Sequence, residues 1–405
     1  MITVALLLVH TASAATYTLP GVRQAATARA IEVEQAAAAA DAADAQAVSV
    51  RAGALPSIVG SASGSVGAGF TAFGFPRPVQ RQLGVGVDAS WLLVAPETWA
   101  AASSARLTAE GRHAMQAWTQ VTARARATEL YTAVLAAQKE LAARQTALVD
   151  ATEAEKAVQA LVTTGIRPPS HAAQARASLA TVHAELANAE WVAHARCAEL
   201  QALLREPADA APQCVLAEVD WAPPKEGPAS HPALDAAAMA LAGSEANKKS
   251  AVMALVPTLG LSAGAAWYRA DQGGGPGWSA GADLAVPLFA SGSAKSQITV
   301  AEAQVRSTRL ALEAQELQLR VALRTATIRL KAAEQGVAAR QVALGAAQEA
   351  LDMVKARYSA GMDSLTDWLT SRQARDAAAV ALARAEAERG AAHAALESAR
   401  GVGGT

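Results

Sequence analysis

The residues whose types could support catalysis or metal binding do not form a recognised pattern in this sequence. His183 and Glu185 give the His-x-Glu pair that begins the zinc signature of nucleobase deaminases, but no Pro-Cys-x-x-Cys segment follows. The glycines of GGGPG at 273–277 lie between two predicted strands, so they predict a hairpin turn and not a phosphate-binding loop. The seven histidines are scattered without the spacing of metal ligands. The sequence therefore predicts no enzyme, no metal site and no cofactor.

The two cysteines, Cys197 and Cys214, leave two interpretations open. In an oxidising compartment they could form a disulfide that ties the end of a helix to the linker after it. Two free, buried thiols are the alternative.

The composition favours long helices and gives no reason to expect nucleic-acid binding. Hydrophobic residues make up 52% of the chain and aromatic residues only 4%, because alanine supplies the excess. The net charge is −1, and no basic tract stands out.

Residues 1–14 are predicted to be a secretory signal peptide. A short apolar core, 4–9, precedes the small-x-small sequence Ala-Ser-Ala at 12–14, although no Lys or Arg precedes the core. A frayed N-terminal strand or a misassigned start codon are the alternatives.

No run reaches the roughly 18 apolar residues that a membrane-spanning helix needs. No cysteine follows the expected cleavage site, so a lipid anchor is not expected.

Two regions, 55–96 and 256–289, lose helical character and show alternation of period two. They predict four strands of about ten residues, which is the length of a tilted strand that crosses hydrocarbon. One face of each strand is apolar with Trp near its ends, and the other is small and polar. A soluble β-sandwich would also alternate, but this combination is typical of a membrane barrel. If these strands lie in a membrane, several chains must share one barrel, because four strands cannot close a barrel and open edges are not tolerated in lipid.

The remaining sequence predicts helices at 20–53, 97–163, 170–206, 231–254, 294–358 and 364–400. Two of them are long, and the short ones placed end to end match that length of roughly 100 Å. In 294–358 an apolar residue recurs every seventh position, which indicates left-handed coiled packing. This first seam continues through Leu323, Leu330, Val337, Leu344, Leu351 and Tyr358. A second seam, Val321, Ile328 and Val342, indicates a neighbour on another side, as in a barrel of helices or in a bundle core.

The order of elements occurs twice, so an internal duplication is predicted. Repeat 1 is expected at 15–206, with strands in 55–96, a long helix at 97–163, a tip turn at 164–170 and a return helix. A Pro-rich linker, 207–230, leads to repeat 2 at 231–405. That repeat has strands in 256–289, a long helix at 294–358, a tip turn at 359–364 and a return helix.

Three ordered motifs in the second repeat resemble the TolC-like outer-membrane efflux channel family. HPAL at 231–234 opens the helix before LVPTLGLSAG, VPLFASG at 286–292 resembles the exit from strand to helix, and RYSAGMDSLTDWLTSR at 357–372 resembles the periplasmic tip. The resemblance covers essentially the mature chain. It implies a mainly α-helical fold with a membrane part: a homotrimer with a twelve-stranded β-barrel and a long α-helical barrel.

In the family, side chains at the tips hold the closed state and surround the entrance. The resemblance matches Tyr358 with the gate tyrosine and Asp367 with an acidic ring residue, whereas Asp363 and His171 depart from the best-studied pattern. A contact between Tyr358 and His171 remains open, and Tyr358 could instead simply end the heptad seam. Asp367 could equally be a solvated acid favoured by the helix dipole.

Glycines and aspartates complete the candidate residues. Gly165 and Gly361 are predicted to end the long helices with a left-handed residue. Pro168, Pro169 and the N-cap Ser364 should start the return helices. Asp88 and Asp283 lie on the polar side of their strands, where they would line the lumen of a barrel or simply be solvated.

The resemblance implies a passive exit channel in the Gram-negative outer membrane, with its helical body in the periplasm. It would work with a periplasmic adaptor protein and an inner-membrane transporter, in efflux or type I secretion. A soluble periplasmic adaptor and a structural coiled-coil protein are the alternatives. The cargo is not readable from the sequence.

Overall fold

Long helices and one antiparallel sheet make up the computed structural model, which describes residues 16–70, 76–206, 214–219, 221, 230–270, 273–288 and 292–402. The expected signal peptide lies outside these residues, as does most of the expected linker. The helices are α1 (Leu19–Arg29), α2 (Ile31–Ala52), α3 (Pro96–Thr163), α4 (Pro169–Leu203), α5 (Pro232–Met253), α6 (Ser293–Ser359) and α7 (Leu365–Ala399). The strands are β1 (Thr16–Tyr17), β2 (Ser57–Phe70), β3 (Pro76–Val94), β4 (Val215–Leu216), β5 (Thr258–Ala270) and β6 (Gly273–Ala285).

The first predicted helix is two helices, because the chain is extended at Ala30. Its backbone has φ −60° and ψ 136°, yet its N–H still donates to the carbonyl of Ala26. The carbonyl of Ala30 in turn accepts from the N–H groups of Val33 and Glu34, which begins α2. Ala30 is buried with Val33 and Ala123. An alanine side chain carries no signal of a helix end, so no local pattern predicts this break.

The chain divides into two compact units, and the larger sheet belongs to the unit formed by Ala36–Gln116 and Pro232–Glu316. Its strand order is β2-β3-β5-β6, and all neighbouring pairs are antiparallel. The strands have 14, 19, 13 and 13 residues, so the expected length of about ten was too short. Serine, glycine and alanine continue the extended backbone past the clearly alternating residues, where periodicity alone marks no end.

Cross-strand pairing confirms the predicted division of the sheet into two faces. Val85 lies between Ala62 of β2 and Trp267 of β5, and Trp91 pairs with Leu261. On the other face Asp88 lies between Val59 and Gly264. Since the side-chain period of a strand is two, this register keeps the apolar residues of all four strands together.

The second unit, formed by Met1–Gln35, Ala117–His231 and Leu317–Thr405, contains the paired ends of the long helices. The first heptad seam of α6 is mostly covered there: Leu330 packs with Leu396 of α7, and Tyr358 packs with Leu365. The second seam is open, with Val321, Ile328 and Val342 exposed by 64%, 62% and 75%. One seam therefore serves this chain's own packing and the other does not.

Among the residues that the structure describes, no helix has a stretch both long and apolar enough to cross a bilayer.

Candidate functional site

Two turns with the same hydrogen-bond pattern end the long helices α3 and α6. Gly361 has φ +81°, its N–H donates to Tyr358 O at 3.0 Å, and the N–H of Met362 donates to Arg357 O at 2.9 Å. Gly165 has φ +76°, and the N–H groups of Gly165 and Ile166 make the equivalent bonds to the carbonyls of residues 162 and 161. Both turns are Schellman motifs with glycine at the left-handed position. We call the two turns and the helix ends beside them the tip.

Replacing Gly361 by alanine is expected to destabilise the chain by about 1–2 kcal/mol, because a Cβ disfavours the left-handed backbone. No atom lies within 4 Å of the position that this Cβ would take, so the effect reports backbone conformation and not crowding. Urea unfolding of the detergent-solubilised protein measures it.

Gly345 is the matched control for that substitution. It lies inside α6, is exposed and also has open space where a Cβ would lie. Gly345→Ala should stabilise by roughly 0.5–1 kcal/mol, since alanine loses less entropy than glycine in a helix. Equal effects of both substitutions would contradict the left-handed turn.

A capping box starts the return helix α7. The Asp367 N–H donates to Ser364 Oγ at 3.1 Å, while the N–H and hydroxyl of Ser364 donate to Asp367 Oδ2 at 3.1 and 2.6 Å. This arrangement confirms Ser364 as the N-cap. The hydrogen bonds from the Ser364 side chain and backbone lower the pKa of Asp367 below its usual value. Asp367 is exposed, so it presents a carboxylate at the surface of the tip as well as capping the helix.

Tyr358 is the central side chain of the tip. It is 2% exposed, and its ring centroid lies 5.0 Å from that of Trp368. The guanidinium carbon of Arg167, from the turn after α3, lies 4.9 Å from the same ring centroid. The Nη2 of Arg167 also donates to the carbonyl of Tyr358 at 3.4 Å. Burial raises the pKa of the Tyr358 hydroxyl, and the charge of Arg167 opposes this. The two turns are therefore joined by a cation–π contact.

The Tyr358 hydroxyl makes no hydrogen bond to His171, which was the contact that the resemblance left open. Within the described chain, the Tyr358 hydroxyl and His171 Nδ1 are both buried, and neither has a hydrogen-bond partner. Sequence reasoning missed the contact of Arg167 with Tyr358. The one sequence feature that pointed to Arg167 is its position two residues after the turn glycine. Asp363, at the other turn, accepts from Arg357 Nε at 3.1 Å, and its own side chain is only 15% exposed.

A buried charge network lies along α7 next to the tip. Arg372 is 2% exposed and donates to Ser178 Oγ on α4 at 2.6 Å. Arg375 pairs with Asp150 on α3 and lies 3.2 Å from Asp376 Oδ1. Burial raises the pKa of Asp376, while the two arginines oppose this. The contacts hold α7 against both helices of the other hairpin.

The sheet has one apolar face that is exposed to solvent in the single chain. Its large side chains, with their exposed fractions, are Ile58 (76%), Val66 (72%), Leu83 (62%), Val85 (63%), Val87 (53%), Trp91 (39%), Trp267 (49%), Trp278 (84%) and Leu284 (67%). Monomeric soluble proteins rarely expose a continuous apolar surface of this kind. The apolar face therefore needs lipid or another protein against it.

Asp88 and Asp283 lie on the opposite, polar face. Asp88 Oδ2 is 3.4 Å from the Ser61 hydroxyl, and Ser57 and Ser90 share a hydrogen bond of 2.8 Å in the next row. Asp283 pairs with Gly260 one row further along. Both carboxylates are thus on the face where small and polar side chains collect.

A short segment, residues 214–219 with 221, crosses the helices of the tip-containing unit, and we call it the strap. Cys197 and Cys214 form a disulfide, which decides between the two interpretations of the sequence. Gln138 Nε2 donates to Cys214 O at 2.5 Å, and the Tyr131 hydroxyl donates to Ala217 O at 2.6 Å. At its end Trp221 stacks on His393 of α7, with centroids 4.6 Å apart.

Comparisons with known proteins give matches to both the sequence and the fold. The sequence model of a family described as "Outer membrane efflux protein" matches residues 22–204 and 225–402. The solved outer membrane channel CmeC of Campylobacter jejuni superimposes with a TM-score of 0.84 at 18% identity, covering 95% of this chain and 86% of that one. VceC of Vibrio cholerae gives 0.82 at 16% identity, covering 95% and 96%. At these identities the structures bear on the fold alone.

A curated relative adds a partial match. It is the outer membrane efflux protein BepC of Brucella suis biovar 1, which is 28% identical over 162 residues. The match covers 39% of this chain and 36% of that relative, so it spans about a third of BepC.

Proposed function

The chain belongs to the outer membrane efflux protein family, and from this premise we propose that it is the exit channel of a Gram-negative efflux or type I secretion system. The membership confirms the predicted family, which is a family of channels and not of enzymes. It also counts against the soluble adaptor and the structural coiled coil. The channel would be a passive conduit, with energy supplied by its partners.

The exposed apolar face of the sheet is the observation that carries this proposal. Val85 and Trp278 lie on that face, while serines, glycines and Asp88 lie on the other. Apolar residues towards lipid and polar residues towards a lumen are the arrangement of a transmembrane barrel. Asp88 and Asp283 would then line the lumen, and the helices would lie in the periplasm.

We propose a homotrimer with one shared barrel of twelve strands. Within the described residues, β2 and β6 each pair with one neighbour only. Unpaired edges are not tolerated in lipid, so the strands of further copies must complete the ladder. The open seam of α6, with Val321, Ile328 and Val342, offers the corresponding surface for a neighbouring copy's helix. Because of the predicted duplication, each chain would supply two similar sets of helices to the helical barrel.

The expected partners are a periplasmic adaptor at the tip and an inner-membrane transporter. An internal disulfide favours an oxidising compartment, in line with a periplasmic helical body.

Reconstitution tests the channel directly. The detergent-extracted protein should migrate as a heat-sensitive oligomer and give discrete conductance steps in a planar bilayer. Extraction with high salt in the absence of detergent, or a bilayer without conductance steps, would overturn the proposal.

We further propose that the Arg167–Tyr358 contact holds the tip closed. A partly buried cation–π contact contributes about 1–2 kcal/mol. Its loss corresponds to a roughly 5- to 30-fold shift of the ratio of open to closed channels. Arg167→Ala should therefore raise the resting conductance of reconstituted channels within that range.

Two control variants test which part of the contact matters. Tyr358→Phe keeps the ring and removes only a hydroxyl without a hydrogen-bond partner among the described residues, so closure should be unchanged. Arg196→Ala removes an exposed arginine that pairs with Glu199 of its own helix α4, away from the tip, and should have little effect. If Tyr358→Phe opened the channel as much as Arg167→Ala, the hydroxyl and not the ring would be the gate. His171, Asp363 and Asp367 remain entrance residues in this proposal.

A further inference from the structure

The disulfide of the strap is buried. Cys197 is 1% exposed and Cys214 is 4% exposed. Both belong to a core cluster with Tyr131, Val134 and Leu200. Exchange between a thiol and a disulfide requires direct attack of a thiolate on a sulfur, so no oxidant of protein size can reach this pair once it is packed.

The strap is held over the helices by a small number of contacts. Apart from the disulfide, its backbone is held by the two-residue ladder between β1 and β4, by the Ala217 N–H donating to Tyr17 O at 3.0 Å, and by the side chains of Gln138 and Tyr131. Cys214 lies on this irregular segment, whereas Cys197 lies in α4. Of the two sulfurs, that of Cys214 is therefore the one carried by the strap.

We propose that the Cys197–Cys214 pair is oxidised before the strap docks, by a dithiol–disulfide oxidant of the cell envelope, and that docking then seals the bond. One thiolate of the pair attacks the oxidant's disulfide, which gives a mixed disulfide and releases one oxidant thiol. The other thiolate attacks the protein sulfur of the mixed disulfide and releases the second oxidant thiol. Two electrons and two protons pass from the cysteines to the oxidant, whose disulfide becomes a dithiol.

This order of events is independent of whether the chain conducts. It makes the protein a client of an envelope thiol oxidant during maturation. Afterwards the bond should be protected from reductants, because the packed strap blocks their access to the sulfurs as it blocks that of oxidants.

Reduction kinetics test the seal. The full-length oxidised protein in detergent is treated with dithiothreitol, and free thiols are counted by alkylation at successive times. The folded protein should be reduced at least roughly tenfold more slowly than the urea-unfolded chain, since exchange is limited by access.

Gln138→Ala, which removes the bond to Cys214 O, should speed reduction of the folded protein several-fold. Thr146→Ala is the control, because that exposed hydroxyl donates to Ala142 O of its own helix and, among the described residues, contacts no part of the strap. Equal rates for folded and unfolded chains, or no effect of Gln138→Ala, would overturn the proposal.

A second measurement tests the partner. In cells that lack the envelope dithiol oxidant, the wild-type protein should accumulate only to the level of the double variant Cys197→Ala/Cys214→Ala. The double variant itself should not respond to loss of the oxidant. Wild-type levels that are unchanged without the oxidant would remove the partner from the proposal.

Discussion

Val85→Arg is expected to destabilise the assembled protein by about 2–4 kcal/mol, the cost of an arginine facing lipid near the middle of a transmembrane strand. Val85 lies midway along β3 and is 63% exposed in the single chain. In a water-soluble protein such a substitution at an exposed site would change stability by no more than about 0.5 kcal/mol. The measurement is urea unfolding of protein inserted into lipid vesicles, with the remaining heat-sensitive oligomer as the readout.

Val59→Arg is a closely matched control. Val59 has the same side chain and a similar exposure, 58%, but it lies on the polar face directly opposite Asp88. An arginine there would face water and a carboxylate, so the protein should tolerate it. If both substitutions were tolerated, the apolar face would not lie in lipid, and the proposed barrel would lose its main support.

Removing the disulfide is the second change with a large expected effect. The cysteines are 17 residues apart, and a cross-link over a loop of that size contributes about 3 kcal/mol to stability. Cys197→Ala/Cys214→Ala should lower the free energy of unfolding of the helical unit by about that amount. The denaturation midpoint, followed by circular dichroism under oxidising conditions, is the measurement.

The reduced wild-type chain separates the two contributions to that loss. Alanine removes buried sulfur atoms as well as the cross-link, whereas reduction after unfolding removes the cross-link alone. The two proteins should agree within about 1 kcal/mol, because a small residue in the core adds only a modest packing loss. A reduced wild-type chain as stable as the oxidised one would show that packing, and not the bond, holds the strap.

Several features of the fold could be predicted because they follow from local rules. Gly165 and Gly361 end helices as expected, and Ser364 caps α7. The faces of the four strands followed from period-two alternation. The covered heptad seam of α6 followed from its repeat, since Leu330, Val337 and Leu351 are all buried.

Other features depend on contacts between distant parts of the chain, which no local pattern encodes. The break at Ala30, the Arg167–Tyr358 contact and the strap each depend on tertiary packing. The resemblance leaves a contact between Tyr358 and His171 open. The structure brings Arg167 to Tyr358 from the turn itself, and a charged residue in a turn is too common to predict such a contact.

The two unpaired edges of the four-stranded sheet have a consequence for the cell's supply of this protein. If three chains must meet to complete one wall, the rate of assembly rises steeply with the number of copies present in the same patch of membrane. A sparse supply would leave a standing population of unassembled chains, which proteases would remove. Doubling the synthesis rate should then more than double the number of finished pores, a nonlinearity that counting assembled and unassembled chains across an induction series would reveal.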